Sequence, residues 1–489
     1  MMKKILFVAS ELTPIAKVGG LGDVIGSLPK ALEKLGLEIK IVIGKYGNID
    51  ERKYPLKKLF DLQVPWAESD EKVGIYSTRM PKSNVEVLLM DHELINTGGV
   101  YDSPTAFATT DHELKRFLLV SRSALASIKK LGWKPDAIHI HDWHTSFVPC
   151  WLKSVYKADQ FLKDIPVLLT IHNLANQGIV LGEILKFAGL KPEDLPSLES
   201  DIQDGDINFF RQGIENATLL NTVSPTYAKE ILTPKFGEGL DEILRRRKKD
   251  LFGILNGIDA DRFNSETDPD IYYNYSGKTF LKKYKNKLAL QKELGLSIAS
   301  KEKIPLLGIV SRLTDQKGGE LVDEIIDRLV ELNCQLVVLG QGDPIHENYY
   351  KKAAKKYPKN ISANIKFDAS LAQKIYAASD MFLMPSRFEP CGLGQMIAMR
   401  YGSVPIVRKT GGLVDTVRDG YTGFVFEEYS SAALYEIIKK SIICFNTRHE
   451  EFIKIAKNGM REDFSWGKSA KEYLKIYQKL TKNEKSNWN

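Results

Sequence analysis

The chain has 489 residues, of which 43% are hydrophobic and 27% are charged, and its formal net charge is +7. This composition excludes a disordered or fibrous protein, and the length favours two or three domains. The basic runs lack the interleaved aromatic residues that base stacking requires, so we interpret them as solvated surface and expect no nucleic-acid binding.

Short apolar runs alternate with longer amphipathic segments, and this alternation predicts parallel sheets with crossover helices. The strands predicted in the first half are Ile5–Ala9, Ile39–Ile43, Val85–Met90, Ala137–Ile140, Val167–Ile171 and Leu219–Val223. Those predicted in the second half are Leu306–Val310, Gln335–Leu339, Ile361–Phe367, Met381–Met384, Val404–Val407 and Phe424–Phe426. Helical spacing is clearest at Leu321, Ile325, Leu329 and Leu332.

This pattern predicts an α/β protein made of two Rossmann-like, doubly wound domains, divided near residue 253. Such domains bring their ligand-binding groups to the carboxyl ends of the strands, so we expect the functional site in a cleft between the domains. The four cysteines form no Cys-x-x-Cys pair, the first apolar run ends at Glu11, too early for a signal peptide, and no run approaches the roughly 20 residues of a membrane helix. We therefore expect a cytoplasmic protein without membrane association.

A glycine-rich loop, Lys17 to Asp23, follows the first predicted strand and leads into a helix. Glycines let the backbone approach a ligand closely, and a helix start presents unpaired N–H groups to an anion. The glycine spacing is not the dinucleotide-binding fingerprint, and a turn without a ligand is the alternative. Lys17 favours a phosphate or a sugar-linked diphosphate.

The second half has a similar arrangement, because Arg312 and Lys317 follow the strand that ends at Val310. Two cations at a strand end can clamp a diphosphate without a metal, although such a pair is more often a surface feature. A second glycine pair, Gly411-Gly412, also follows a strand. Glu389 stands between prolines and a glycine turn, where it either binds sugar hydroxyls or caps the next helix.

The segment His139 to His144 and the pair His172-Asn173 follow two neighbouring predicted strands. Three nearby histidines are compatible with zinc, but there is no His-x-x-x-His helix and no cysteine pair to complete such a site. We favour contacts between these side chains and a sugar. The Asp-x-Asp triplets elsewhere are interpreted as turns.

Seven segments, spread over nearly the whole chain, form an ordered set: Lys17-Val18-Gly19-Gly20-Leu21, His141-Asp142-Trp143-His144, Thr170-Ile171-His172-Asn173-Leu174, Asn256-Gly257-Ile258-Asp259, Ser311-Arg312-Leu313-Thr314, Glu389-Pro390-Cys391-Gly392-Leu393 and Thr410-Gly411-Gly412-Leu413. In this order they resemble the motifs of bacterial glycogen synthases and plant starch synthases. No single segment is decisive, but the set is highly specific.

The resemblance implies the GT-B fold and retaining transfer of glucose from ADP-glucose to the non-reducing end of an α-1,4-glucan. UDP-glucose is the alternative donor, and no metal or cofactor is implied. Residues 1–252 would form the N-terminal domain on the acceptor side, with the phosphate loop, joined by a crossover helix at 461–489. Residues 253–460 would form the domain on the nucleotide-sugar side.

Carried onto this sequence, the resemblance implies catalytic roles for His172, Glu389, Arg312, Lys317 and Asp142. It implies donor binding by Lys17, Gly19, Gly20, Asp23, Tyr101, Asn173, Asn256, Cys391, Gly392, Leu393, Gly411 and Gly412. Lys17, Arg312 and Lys317 would hold the diphosphate, and Tyr101 would stack near the base. The main-chain carbonyl of His172 would lie near the anomeric carbon.

The other implied roles concern the sugar and the acceptor. Glu389 would bind the hydroxyls of the transferred glucose, Asn256 would support the same site, Asp142 would lie near the acceptor, and Asp23 would shape the phosphate loop. Front-face attack guided by the leaving phosphate fits better than a covalent intermediate, because no two carboxylates flank the bond at hydrolase spacing. The alternatives are a non-catalytic glucan-binding protein on the same scaffold and a nucleotide-sugar isomerase.

Overall fold

A computed structural model describes residues 3–102, 110–298 and 304–486, and for residues 481–486 it describes the backbone only. The chain divides into two compact units. The first unit comprises residues 1–257 and 466–489, and the second comprises residues 258–465.

The first unit is built on a sheet whose strand order is β11-β10-β7-β6-β1-β2-β5-β4-β3, and a short antiparallel pair, β8 and β9, lies outside it. All neighbours in this sheet are parallel except at β3–β4 and β4–β5. The strands are β1 (Lys4–Val8), β2 (Glu38–Gly44), β3 (Lys57–Trp66), β4 (Ser69–Arg79), β5 (Glu86–Asp91), β6 (Ala137–His141), β7 (Val167–Ile171), β8 (Ile179–Leu181), β9 (Asp206–Asn208), β10 (Leu219–Thr222) and β11 (Leu251–Gly253).

Helices cover this sheet, and most of the residues in its parallel strands are buried. The α-helices are α1 (Gly20–Glu33), α2 (Glu93–Asn96), α3 (Asp111–Lys130), α4 (Val148–Lys153), α5 (Ile184–Ala188), α6 (Pro196–Asp201), α7 (Phe209–Asn216), α8 (Pro225–Glu230) and α9 (Asp241–Arg246). Single-turn 3-10 helices lie at Trp143–Thr145, Pro192–Asp194, Ile202–Asp204 and Lys248–Asp250.

The second unit has a fully parallel sheet with the order β14-β13-β12-β15-β16-β17. Its strands are β12 (Leu306–Val310), β13 (Gln335–Leu339), β14 (Ile361–Asn364), β15 (Met381–Met384), β16 (Val404–Arg408) and β17 (Phe424–Phe426). Its α-helices are α10 (Lys283–Glu293), α11 (Gly319–Asp323), α12 (Ile326–Glu331), α13 (Pro344–Lys356), α14 (Ala369–Ala378), α15 (Gly394–Arg400), α16 (Gly411–Thr416), α17 (Ser431–Thr447) and α18 (His449–Arg461), with 3-10 turns at Phe280–Lys282 and Asp315–Lys317.

The last helix, α19 (Trp466–Ser486), belongs to the first unit. It contacts α1, and its buried face adds Trp466, Ala470, Tyr473, Ile476, Tyr477 and Leu480 to the core of that unit. The predicted domain boundaries lie five residues before those of the two units, at 252 against 257 and at 460 against 465. The first difference arises because Leu251–Gly253 is still a strand paired with β10, and the second because α18 runs on to Arg461.

Each sheet has one place where the strand order reverses along the chain. In the first sheet, β1 is followed by β2 on one side and later by β6 on the other; in the second sheet, β12 is followed by β13 on one side and later by β15 on the other. Loops leave adjacent strands in opposite directions at such a point, so a crevice opens at the carboxyl ends of the strands. Most of the candidate residues follow strands at or next to these two places, whereas Asn256 follows the edge strand β11.

Several details of the sheets and helices differ from the sequence-based expectations, and the three-residue strands β8, β9 and β11 were not predicted. The hairpin β3–β4 was not predicted, because its strands are half-exposed and its two-residue turn contains Ala67, at φ 49°, instead of a glycine or asparagine. The predicted helix through Leu321 and Leu332 is broken at Ile325 into α11 and α12. The strand predicted to reach Phe367 ends at Asn364.

Within the parts of the chain that the structure describes, no helix combines the length and the apolar character that crossing a membrane requires.

The contribution of α19 to the first unit can be measured without interference from the second, because the sequence of the second unit, residues 258–465, contains no tryptophan. Ile476 is buried in its core, so Ile476→Ala should lower the free energy of unfolding of this unit by about 2–5 kcal/mol. Urea denaturation followed by tryptophan fluorescence checks this. The control, Lys475→Ala, alters an exposed side chain of the same helix and should change stability by less than about 0.5 kcal/mol. Equal effects of the two variants would contradict the packing role.

Candidate active site

The loop after β1 is organised by a buried carboxylate, Glu11. Its Oε2 accepts hydrogen bonds from the backbone N–H groups of Val18 (2.9 Å) and Gly19 (2.6 Å), and its Oε1 accepts one from the hydroxyl of Tyr101 (2.9 Å). Burial raises the pKa of Glu11, although the N–H donors oppose this. Glu11 therefore fixes the shape of the glycine-rich loop, and the N–H of Gly19, expected to approach a diphosphate, is bonded to this carboxylate.

Lys17 and Asp23 form a partly exposed ion pair at the start of α1. The ammonium lies 2.7 Å and 2.9 Å from the two carboxylate oxygens of Asp23, and Thr13 also donates to that carboxylate. Gly20 is the first residue of the helix, and a Cβ added there would meet nothing within 4 Å. Packing within the described residues therefore does not require a glycine at this position, whereas close approach of a ligand would.

Tyr101 supports the loop through its hydroxyl, and its stacking on a base stays a prediction. Its hydroxyl lies 3.0 Å from the Ser10 hydroxyl in addition to its bond to Glu11, and its ring packs near Phe117 and His144. These contacts occupy both the hydroxyl and part of the ring. The structure thus places Tyr101 as a partner of Glu11 and gives no support to its predicted stacking role.

Asp142, directly after β6, has a backbone conformation that is rare outside glycine, with φ at 52°. This turns its carboxylate toward the end of β7, where Oδ1 accepts the N–H groups of His172 (2.7 Å) and Asn173 (3.4 Å). Burial raises the pKa of Asp142 to about 7 against these stabilising hydrogen bonds. The predicted residues at the ends of β6 and β7 are therefore brought together by one side chain.

His172 is held from two directions. Its backbone N–H is bound by Asp142, and its Nε2 lies 3.1 Å from Nδ1 of the buried His141. Burial lowers the pKa of His172 to about 3, and that of His141 is also lowered, so both imidazoles are neutral at physiological pH. Neutral imidazoles act as hydrogen-bonding groups and not as cations.

Four buried polar atoms that follow β6 or β11, or end β6, have no hydrogen-bond partner among the described residues. They are Nε2 of His141, Nε1 of Trp143, Nδ1 of His144 and Oδ1 of Asn256, the last lying just after β11. Buried polar groups are nearly always paired, so unpaired ones mark places where a polar ligand or water completes the bonding. A sugar, with hydroxyls that both donate and accept, suits such a set.

In the second unit, the loops after β12 and β15 are joined by an ion pair. Nζ of Lys317 lies 2.6 Å from Oε2 of Glu389, which also accepts the hydroxyl of Ser386. Glu389 is only 4% exposed, so its carboxylate is fixed by these partners. The other predicted cation, Arg312, has an exposed side chain just after β12.

Backbone contacts join the same loops. The N–H of Arg387 donates to the carbonyl of Gln316, and the N–H of Gly412 donates to the carbonyl of Glu389. Gly318 has φ at 71°, and a Cβ there would lie 2.2 Å from the Pro385 carbonyl oxygen, so only glycine fits. The loops after β12, β15 and β16 therefore form one rigid group.

The remaining predicted residues of this unit surround the starts of two helices. Leu393 immediately precedes α15, while Gly411 and Gly412 open α16. Gln395 donates from Nε2 to the carbonyls of Cys391 (3.1 Å) and Gly392 (2.8 Å). A Cβ on Gly412 would lie 2.3 Å from the Cys391 carbonyl oxygen, so these glycines permit two backbones to touch.

Three residues that organise these loops were missed by the sequence analysis, namely Glu11, Gln395 and Arg408. Arg408 is buried at the end of β16, and its guanidinium donates to the carbonyls of Ser386 and Arg387. Arg408 carries a signal that could have found it, because it is a charged residue at the end of a buried parallel strand, whereas Glu11 lies three residues beyond the end of β1. Gln395 carries no such signal, since a polar residue in the first turn of a helix is common.

Comparison with known proteins places this geometry in a family. Residues 4–246 match the starch synthase catalytic domain, and residues 292–459 match the glycosyl transferases of group 1. A glycogen synthase of Thermosipho melanesiensis is 43% identical over 97% of this chain and 98% of its own length, and one of Pseudothermotoga lettingae is 44% identical with the same coverage. The chain belongs to the glycogen synthase family. This confirms the resemblance drawn from the seven sequence segments.

A solved structure supports the same assignment. The catalytic domain of starch synthase IV from Arabidopsis thaliana, bound to ADP and acarbose, superimposes with a TM-score of 0.91 at 34% identity, covering 98% of this chain and 99% of that one. The predicted GT-B fold, with two Rossmann-like units, is confirmed. The chain is therefore a glycosyltransferase of the glycogen and starch synthase type.

The raised pKa of Asp142 predicts how stability depends on pH. An acid with a folded pKa of about 7, against 3.8 ordinarily, holds its proton more tightly when folded, so its contribution favours folding at low pH and is lost as the pH rises through this window. Asp142→Asn keeps the acceptor for His172 and removes the ionisation. The stability of this variant relative to the unmodified protein should therefore increase by about 2–3 kcal/mol from pH 5 to pH 8.

Urea denaturation followed by tryptophan fluorescence, at several pH values, measures this difference in the first unit. The neighbouring histidines titrate in both proteins, so their contributions cancel in the comparison. A difference that stays flat, or that falls with increasing pH, would show that Asp142 is ionised at low pH in the folded state.

Proposed function

We propose that the protein transfers glucose from ADP-glucose, with retention of configuration, to the non-reducing end of an α-1,4-glucan. The main observation in support is the Lys317–Glu389 ion pair. It lies among the hydrogen-bonded loops at the place where the strand order of the second sheet reverses. It combines a cation for a diphosphate with a fixed carboxylate for sugar hydroxyls. Membership of the glycogen synthase family supports the same reaction.

In this proposal the second unit holds the donor. Arg312 and Lys317 bind the diphosphate, and their charge stabilises it as the bond to the sugar breaks. Glu389 accepts hydrogen bonds from the glucose hydroxyls, while the backbone of Cys391, Gly392 and Leu393, and that of Gly411 and Gly412, lines the space around the sugar and phosphates. The rigidity of these loops supports this role, since positioned groups need no rearrangement during the reaction.

The first unit supplies neutral groups and one further cation. The main-chain carbonyl of His172 would stabilise positive charge at the anomeric carbon, and the neutral state of its imidazole supports this because no cation then opposes that charge. Asn256 and Asn173 would bond to the sugar, and Asp142 would orient the acceptor. Because Asp142 holds the N–H of His172, it also sets the direction of the His172 peptide.

Lys17 is held by Asp23 and the N–H of Gly19 by Glu11, so the donor diphosphate would compete with a carboxylate for each of them.

The glucose–phosphate C1–O bond breaks, the acceptor hydroxyl oxygen bonds to C1, and its proton passes to the leaving diphosphate. In the proposed set no two carboxylates are assigned to opposite sides of the bond that breaks, because Glu389 binds the sugar hydroxyls and Asp142 orients the acceptor, and this supports front-face attack.

The direct test is incubation with glycogen and radiolabelled ADP-glucose or UDP-glucose in parallel. We expect label in polymer, released nucleotide in equal amount, and faster transfer from ADP-glucose, because the related Arabidopsis structure was solved with ADP. Faster transfer from UDP-glucose would correct the donor. Conversion of the donor without glycogen would favour a nucleotide-sugar isomerase, and glycogen binding without transfer would favour a non-catalytic scaffold.

The Lys317–Glu389 pair can be tested against a matched pair in the same unit. Lys317→Ala and Glu389→Gln should each lower kcat/KM for transfer by roughly 100-fold or more, because each removes a group that stabilises the transition state. Lys351 forms an exposed pair with Glu347 at 3.3 Å, and Lys351→Ala should leave transfer unchanged. Retention of full activity by both site variants would refute the assignment.

A further inference from the structure

A chain of buried hydrogen bonds connects the last helix with the centre of the first sheet. The hydroxyl of Tyr477 lies 2.8 Å from Nδ1 of His139, whose Nε2 lies 2.6 Å from the Thr170 hydroxyl. That hydroxyl is 2.6 Å from Oδ1 of Asn221, whose amide nitrogen is 3.0 Å from the Tyr473 hydroxyl. All five residues are buried, with 0% exposure.

The directions of these bonds follow from the number of protons available. Asn221 accepts at Oδ1, so the single hydroxyl proton of Thr170 is used there, and Thr170 can only accept from His139. His139 must then carry its proton on Nε2, which leaves Nδ1 as an acceptor for the Tyr477 hydroxyl. Burial lowers the pKa of His139, which keeps the ring neutral and this tautomer in place.

His139 packs against His141, which in turn contacts His172. Its ring lies 4.2 Å from the ring of His141, two residues further along β6, and Phe7 packs against both rings. Nδ1 of His141 lies 3.1 Å from Nε2 of His172. A change in the orientation of His139 would therefore pass to His141 and then to His172, because closely packed rings cannot turn independently.

We propose that Tyr477 is a positioning residue for the transfer reaction: its hydroxyl fixes the tautomer and orientation of His139, and through His141 it holds His172 in place. This inference rests on the proposed function, since it assumes that His172 faces the transferred glucose. Tyr477 is separated from His139 by 338 residues in sequence, and its hydroxyl bonds to His139, not to one of the residues proposed to bind the substrate. It acts only through the histidines.

The first test is Tyr477→Phe, which removes one hydroxyl and keeps the ring. We expect kcat to fall roughly tenfold or more, because small misplacements of reacting groups are costly, while KM for the donor stays within about twofold. The matched control is Tyr350→Phe, a buried tyrosine of the second unit, which should leave kcat unchanged. An unaltered kcat for Tyr477→Phe, with the unmodified protein active, would overturn the proposal.

A second pair of variants keeps the proposal testable if Tyr477→Phe folds poorly. Thr170→Val breaks the chain at its centre and should lower kcat in the same way, whereas Thr170→Ser retains the hydroxyl and should restore it. A merely structural role would lower the thermal midpoint of both the valine and the phenylalanine variants without altering kcat. That outcome would also overturn the proposal.

A spectroscopic measurement separates this inference from the proposed function, because it requires no activity. The chain has only eight histidines, so their ring nitrogens can be followed by NMR after selective ¹⁵N labelling of a deuterated sample. We expect Nδ1 of His139 to be unprotonated, and the His141 and His172 signals to shift in Tyr477→Phe but not in Tyr350→Phe. Unshifted His172 signals would overturn the inference, whereas an inactive unmodified protein with shifted signals would overturn only the proposed function.

Discussion

Each connection between parallel strands must return the chain from the carboxyl end of one strand to the amino end of the next. This constraint places the polar and charged loop residues of the protein at the carboxyl ends of the strands. In both units the groups lie where the strand order reverses, after β1, β6 and β7 in one sheet and after β12, β15 and β16 in the other. Residues far apart in sequence, such as Lys317 and Glu389, thereby become direct partners. The sheets do not determine which residue types occur in the loops, but they determine which loops lie close enough for their side chains to interact.

The two sets of loops are held by different interactions. In the second unit, charged groups hold the loops through the Lys317–Glu389 ion pair and through the Arg408 guanidinium, which donates to two carbonyls. Glycines in the same loops allow two backbones to come into contact. In the first unit, burial lowers the pKa values of the histidines at the ends of β6 and β7, which keeps their imidazoles neutral, and the acids Glu11 and Asp142 have raised pKa values. Fixed charge suits a diphosphate, whereas neutral donors and acceptors suit sugar hydroxyls. Under the proposed function, this contrast supports binding of the leaving diphosphate mainly by the second unit.

Most of the predicted strands were identifiable because both of their faces are buried, and every predicted strand is present. The hairpin β3–β4 escaped prediction because it is half-exposed and turns at Ala67 without a glycine, and the break at Ile325 has no proline or glycine to mark it. Among the candidate site residues, glycines and lysines after strands were identifiable from position alone. The role of Glu11 could not be identified in this way. Its carboxylate binds N–H groups seven and eight residues later, and these groups come within reach only in the folded conformation of the loop.

Tyr101 and Tyr477 show why the function of a buried tyrosine depends on its hydroxyl partner more than on its ring. Tyr101 was considered for the contact of its ring with a base, and the structure shows that its hydroxyl donates to Glu11. Tyr477 lies on a helix that local sequence gives no reason to connect with the site, yet its hydroxyl meets His139. A buried hydroxyl must find a partner, and that requirement is satisfied only by the complete fold. Because α19 belongs to the first unit, the geometry around His172 is complete only when the end of the chain has packed onto the sheet formed by its beginning.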